Sequence, residues 1–246
     1  MSGNPLKQFE VKNIIDIPSL WGIDISFTNS SFFMLLSVFI SSLLIFWGVR
    51  SVSLVPRTKQ ALAEMFYEFL RDLIIKNANH KALKHMPFIM TMFMFILFCN
   101  LTGMLPLPIM FTVTSQFVVT TTLALMVFVY ALCVTIYSYG GLAFFNMFLP
   151  KGIPKWLSPI MFTLEFSTYL FRPASLSIRL VANMIAGHTI IEVIASFTNM
   201  LSVFFVPFSF FFIVVLIIFE IFISILQAYI FVILSCVYLN DAYTEH

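Results

Sequence analysis

The sequence predicts an all-α integral membrane protein, a polytopic helical chain, and three observations carry that expectation. Of 246 residues, 61% are hydrophobic and only 10% charged, against about 25% charged in an ordinary soluble domain. Lipid must therefore be the solvent for most of the chain. Apolar runs long enough to span a bilayer recur along it, and the basic residues cluster between two of them. The expected architecture is an N-terminal span, an amphipathic surface helix, a transmembrane hairpin and two long, steeply tilted C-terminal helices. Together they make one membrane domain over residues 1–246.

Residues 1–31 form an N-terminal segment that begins MSGNPLKQFEVKNIIDIPSLWGIDI. It lacks the basic-then-apolar layout of a secretory signal and carries too many acids for a transit peptide, so it reads as part of the mature protein. The run 32–49 is the first span. In 56–84, Leu62, Met65, Phe66, Phe69, Leu73 and Ile74 recur at helical spacing. Lys59, Glu64, Glu68, Arg71 and Asp72 stand between them, which is the pattern of a helix lying at the membrane surface.

The hairpin over 87–139 contains two spans joined by the turn-rich TGMLPLPIMFTVTSQ, with Pro106 and Pro108. Gly140, Gly141 and FLPKGIPKW make the next loop. The segment 156–239 reads as two helices, 156–200 and 203–239, forming a hairpin. The second is nearly unbroken apolar sequence, about 55 Å long at 1.5 Å per residue. The hydrocarbon core is only about 30 Å thick, and strong tilt relieves that mismatch.

Seven of the thirteen Lys and Arg fall between Arg50 and Lys84, which assigns that segment to the cytoplasmic or matrix side. The uncharged loop at 105–116 then faces the opposite, proton-rich side, as does the N-terminus. Alternation returns Lys151 and Lys155 to the first side. A formal charge of +2 and the lack of basic stripes beside aromatics argue against nucleic acid. Cys99, Cys133 and Cys236 lie far apart in apolar runs and suit neither a metal nor a redox motif. No cofactor or metal is expected. With no P-loop, the chain is not expected to be catalytic by itself.

Ionisable residues inside membrane segments cost about 2.5–3.5 kcal/mol each on insertion scales and usually mark ion pathways. At 100° per residue, Arg172, Arg179 and Asn183 share one helical face. Glu165 joins them if Pro173 bends the helix only slightly. His188 and Glu192 are four apart, and His188 lies opposite Arg179. On the last helix Glu220, Ser224 and Gln227 form one polar stripe. A reversal around 199–207 sets Arg179 level with Gln227, and His188 level with Glu220. One level holds a charge that never titrates, the other two groups that exchange protons. Plainer readings stand beside these. His188 could pack against a neighbour, Glu192 could face a loop or headgroups, Gln227 could glue helices, and Glu165 could pair with Arg172.

The run RPASLSIRLVANMIAGH (172–188) resembles the signature of subunit a of the rotary F-type ATP synthase. EIFISILQAYIFVILSCVYLNDA (220–242) resembles that family's last helix, supported by FCNLTGMLP (98–106), QFEVK and SFTNSS. The resemblance implies a proton-conducting stator subunit with two offset half-channels that load and unload carboxylates of a c-ring. Its partners would be the c-ring, the peripheral stalk and other membrane subunits of the complex. It implies Arg179 as the arginine facing the ring, with Asn183 and Gln227 beside it. Glu165 would serve the outlet half-channel, and His188 with Glu220 the inlet. Arg172, Glu192 and Ser224 are possible accessories. The His188/Glu220 arrangement resembles mitochondrial and alphaproteobacterial members, so the mitochondrial inner membrane is the expected location, with a bacterial plasma membrane as the alternative.

Two other classes fit less well. A secondary transporter usually shows internal repeats, and no duplication is visible here. A purely structural subunit leaves the two polar levels unexplained. His188 and Glu220 suit protons, and no set of hydroxyls and carboxylates suggests a sodium cage.

Overall fold

Five helices among the described residues are long and apolar enough to cross a membrane. The structure is a computed structural model. It describes residues 10–16, 26–50, 53, 55–78, 80–104, 111–140, 156–198 and 206–243. The elements are α1 (Asn29–Val49), α2 (Thr58–Ala78), a 3-10 turn (His80–His85), α3 (Met86–Gly103), a second 3-10 turn (Val113–Ser115), α4 (Phe117–Tyr139), α5 (Ser158–Thr198) and α6 (Val206–Tyr243). The chain is a helical, multi-pass membrane protein. The loop around Lys151 and Lys155, Pro106, Pro108 and most of the expected reversal at 199–207 lie outside the described residues.

One small feature departs from the all-helical expectation. Asn13–Ile15 pairs antiparallel with Phe27–Thr28 and delivers the chain to α1. There Thr28 Oγ1 accepts the Ser31 amide at 3.4 Å, and Asn29 Oδ1 accepts the Lys12 amide at 3.2 Å. The SFTNSS motif is thus a helix cap tied to the strand before it, satisfying amide donors that a helix start leaves open.

α5 and α6 are continuous over 41 and 38 residues, about 62 and 57 Å at 1.5 Å per residue. Each is about twice the hydrocarbon thickness, the length excess on which the expectation of steep inclination rests. α5 runs through Pro173 without a break. α6 reaches four residues past the expected end at 239. At the end of α4 the Gly140 amide bonds Ile136 O, with φ of +85°. That left-handed conformation is open to glycine without strain and stops the helix.

The chain forms two compact units. The first comprises 1–44, 94–117 and 180–228, the second 45–93, 118–179 and 229–246. In the first, Ser37 of α1 hydrogen-bonds Thr102 of α3 at 3.0 Å, and Asn100 of α3 donates to Ser224 O of α6 at 3.3 Å. Such interhelical bonds average about 0.6 kcal/mol in membranes, so packing of small and apolar side chains carries most of the association.

In the second unit, Leu70, Leu73 and Ile74 of α2 are buried, while Leu62, Met65 and Phe69 remain exposed. Of the expected apolar stripe, then, only Leu73 and Ile74 are buried and Phe66 half-buried, leaving the rest for lipid. Phe66 and Phe69 meet Phe93 of α3, and Phe69 also meets Tyr229 of α6. His85 bonds the hydroxyls of Tyr130 on α4 and Tyr243 on α6, both at 2.6 Å. That contact fastens the last turn of α6 and accounts for its extra length.

Candidate functional site

The first unit buries an imidazole beside a carboxylate. His188 of α5 and Glu220 of α6 are 8% and 4% exposed, with His188 Nε2 3.4 Å from Glu220 Oε1. The same nitrogen lies 2.9 Å from Thr112 Oγ1. One ring nitrogen thus faces both a hydroxyl, which can donate or accept, and a carboxylate, which accepts when ionised. A proton carried on Nε2 can be shared with either neighbour.

Two glycines make this approach possible. A Cβ on Gly187 would lie 2.7 Å from Glu220 Oε1. A Cβ on Gly103 would lie 2.6 Å from Thr112 Cγ2 and 3.0 Å from its Cα. Gly103 lets the chain fold back against the end of α3, which carries Thr112 to His188. Phe111, Thr112, Val113, Thr114 and Ser115 are all buried. The segment read from sequence as a loop is therefore packed into the protein at its second half.

The polar stripe of α6 points inward, since Glu220, Ser224 and Gln227 are all buried. Asn100 Oδ1, Thr114 Oγ1 and Gln227 Oε1 are buried without a hydrogen bond among the described residues. Each such atom costs about 1–3 kcal/mol unless water reaches it. Glu192, one turn beyond His188, is half-buried, and Asn183 is also half-buried.

In the second unit α5 presents the opposite kind of surface. Arg179 and Glu165 are exposed. Arg172 and Arg179 line one open cavity of about 360 Å³ with Thr168, Ser175, Ile230 and Leu234, in keeping with their shared helical face. Arg172 Nη1 pairs with Asp241 Oδ2 at 3.3 Å, and the Glu165 partnership left open by the sequence is replaced by one 69 positions away. On α5, then, the buried imidazole and the exposed guanidinium of Arg179 occupy different faces.

Thr112, Asp241 and Tyr238 were not among the candidates from sequence. The signal for Thr112 was the hydroxyl run TVTS in an uncharged loop. For Asp241 it was an acid at the end of an otherwise apolar helix. Among the described residues no group of three or more His, Cys, Asp and Glu could hold a metal ion.

These features define a multi-pass helical membrane protein that buries an imidazole beside a carboxylate within its long helices. The ATP synthase A chain profile matches residues 31–240. ATP synthase subunit a of Wolbachia sp. subsp. Drosophila simulans (strain wRi) is 50% identical over 242 residues, 98% of this chain and 99% of its own length. That of Neorickettsia sennetsu is 49% identical over 243 residues, covering 99% and 100%. That of Ehrlichia chaffeensis is 47% identical over 246 residues, covering both chains fully. The chain belongs to the ATP synthase subunit a family.

Proposed function

We propose that this chain is the proton-conducting stator subunit of a rotary ATP synthase in a bacterial plasma membrane. The observation that carries the reading is the buried Thr112–His188–Glu220 cluster, with Arg179 exposed on the helix that bears His188. The bacterial relatives favour the second of the two settings expected from sequence. Its partners are the c-ring, the peripheral stalk and other membrane subunits. ATP chemistry belongs to other subunits. All 246 residues act as one membrane domain in this reading.

In this reading a proton enters past Glu220 and His188 and neutralises a carboxylate on a ring helix. A neutral carboxyl can turn into lipid, where an ionised one cannot. After nearly a full turn it releases the proton on the Glu165 side and returns ionised past Arg179. The guanidinium favours the ionised form and separates the two half-channels. The buried polar atoms of Asn100, Thr114 and Gln227 support a hydrated inlet. Arg172, Glu192 and Ser224 are accessories to these paths. Membrane potential adds about 2.3 kcal/mol per charge per 100 mV.

Labelling tests the reading. With Cys99, Cys133 and Cys236 replaced by Ala, single His188→Cys and Glu220→Cys complexes are treated with a membrane-impermeant thiol reagent. Modification is expected only from the proton-rich side, opposite the basic 50–84 segment. Reaction solely from the other face would overturn the assignment of the inlet.

Gly187→Ala probes the same pair without touching a titratable group. The added methyl meets the far end of the flexible Glu220 side chain, not backbone, so the carboxylate moves away from His188 while the helices stay packed. The complex is expected to assemble, with ATP-driven acidification of vesicles reduced about ten- to a hundredfold, as for a misplacement near 1 Å. Unchanged pumping per assembled complex would mean the contact is dispensable.

A further inference from the structure

Proline lacks an N–H, so in a helix it leaves the carbonyl four residues earlier without its usual donor. In α5 that carbonyl belongs to Tyr169, four before Pro173. Tyr238 of α6 donates its hydroxyl to Tyr169 O at 2.9 Å. The tyrosine is fully buried, and its ring meets Tyr169 edge-on at 4.6 Å, with Phe128 of α4 against both. One α6 hydroxyl thus occupies the acceptor that the proline cannot serve.

The surroundings make this more than a filled acceptor. Three residues on from Tyr238, on the same side of α6, Asp241 holds Arg172, which is three residues on from Tyr169. Ile230 and Leu234, two turns and one turn before Tyr238, line the cavity that contains Arg172 and Arg179. Proline in a helix ordinarily kinks it, and in a membrane the freed backbone group is re-satisfied by a neighbouring helix, a side chain or water. Here the helix continues through Pro173 into the turn bearing Arg179.

We propose that Tyr238 is a positioning residue for Arg179. By donating to the Tyr169 carbonyl that Pro173 cannot serve, its hydroxyl fixes the angle at which the arginine-bearing part of α5 leaves the proline, and ties that angle to α6. The proline supplies a weak point in an otherwise stiff helix, and Tyr238 sets it. The functional consequence rests on the proton-conducting reading; the hydrogen-bond exchange between Tyr238 and Pro173 does not.

A double-mutant cycle tests both parts. Pro173→Ala returns an N–H to Tyr169 O and puts a better helix former at that position, so the helix survives the change and the Tyr238 hydroxyl becomes redundant. Four assembled complexes are compared: parent, Tyr238→Phe, Pro173→Ala and the double variant. Tyr238→Phe is expected to lower ATP-driven proton pumping about tenfold with Pro173 present, and by less than about twofold in the Pro173→Ala background. The melting temperature of the detergent-purified complex should fall on Tyr238→Phe in the first background and hardly move in the second. Rescue of melting and pumping together supports the proposal. Equal losses in both backgrounds, or none in the first, overturn it. Rescue of melting with pumping indifferent to Tyr238 overturns the positioning role while keeping the hydrogen bond. If parent vesicles acidify no faster than Arg179→Ala vesicles, the proton-conducting reading fails separately, and the melting cycle still decides the exchange of donors.

Discussion

Arg179→Lys is expected to abolish both ATP-driven pumping and proton-driven synthesis while the complex still assembles. Arginine stays protonated under all physiological conditions and spreads its charge over a planar fork with five donors. It can address a passing carboxylate and keep a second hydrogen bond at once. Lysine keeps the charge but concentrates it on an ammonium whose pKa falls when it is desolvated. In the proposed mechanism, the barrier between the half-channels would vanish each time the lysine lost its proton. Arg179→Ala goes further and is expected to open a passive leak, because nothing then holds the ring carboxylate ionised at that point. Arg179 is exposed on α5, so neither change leaves a hole in the core. Vesicles carrying each variant, followed with a pH-sensitive dye, separate pumping from leak. Near-normal coupled pumping by the lysine variant would sink the requirement for a guanidinium that does not titrate.

Glu220→Gln is expected to have the second largest effect, with the opposite leak behaviour. Glutamine matches the shape of the carboxyl and can still meet His188, but it cannot take up and release a proton. Coupled synthesis driven by an imposed pH gradient should fall about a hundredfold or more, the scale at which a positioned acid–base group acts. Passive leak should stay at the parent level because Arg179 is untouched. Glu220→Asp, shorter by one methylene, retains titration but lengthens a contact that is already 3.4 Å, so partial activity is expected. Synthesis by the glutamine variant within about twofold of the parent would show that Glu220 is not on the proton path.

Much of this was legible in the residues themselves, for reasons that differ by element. Composition alone required lipid as solvent. Apolar runs marked the spans to within a few residues, because a segment in hydrocarbon must satisfy its backbone internally as helix. Helical periodicity gathered Glu220, Ser224 and Gln227 into one stripe and set His188 opposite Arg179, and the burial of the stripe and the exposure of Arg179 follow that geometry.

What periodicity cannot supply is the identity of the neighbour across a helix pair. Thr112 sits 76 positions from His188 and reaches it only because Gly103 lets the chain turn back on α3. Arg172 had a plausible partner one stretch away on its own helix, yet it meets Asp241 from α6. Pro173 read as a possible bend, and only the packing of α6 shows a tyrosine hydroxyl in place of the missing amide. The residues in order were enough for the solvent, the spans and the sharing of faces, because these depend on local geometry and the cost of charge in lipid. Which faces meet, and at what distance, came only from the folded chain. That depends on close approach at single positions such as Gly103 and Gly187, where one methyl group would force the partners apart.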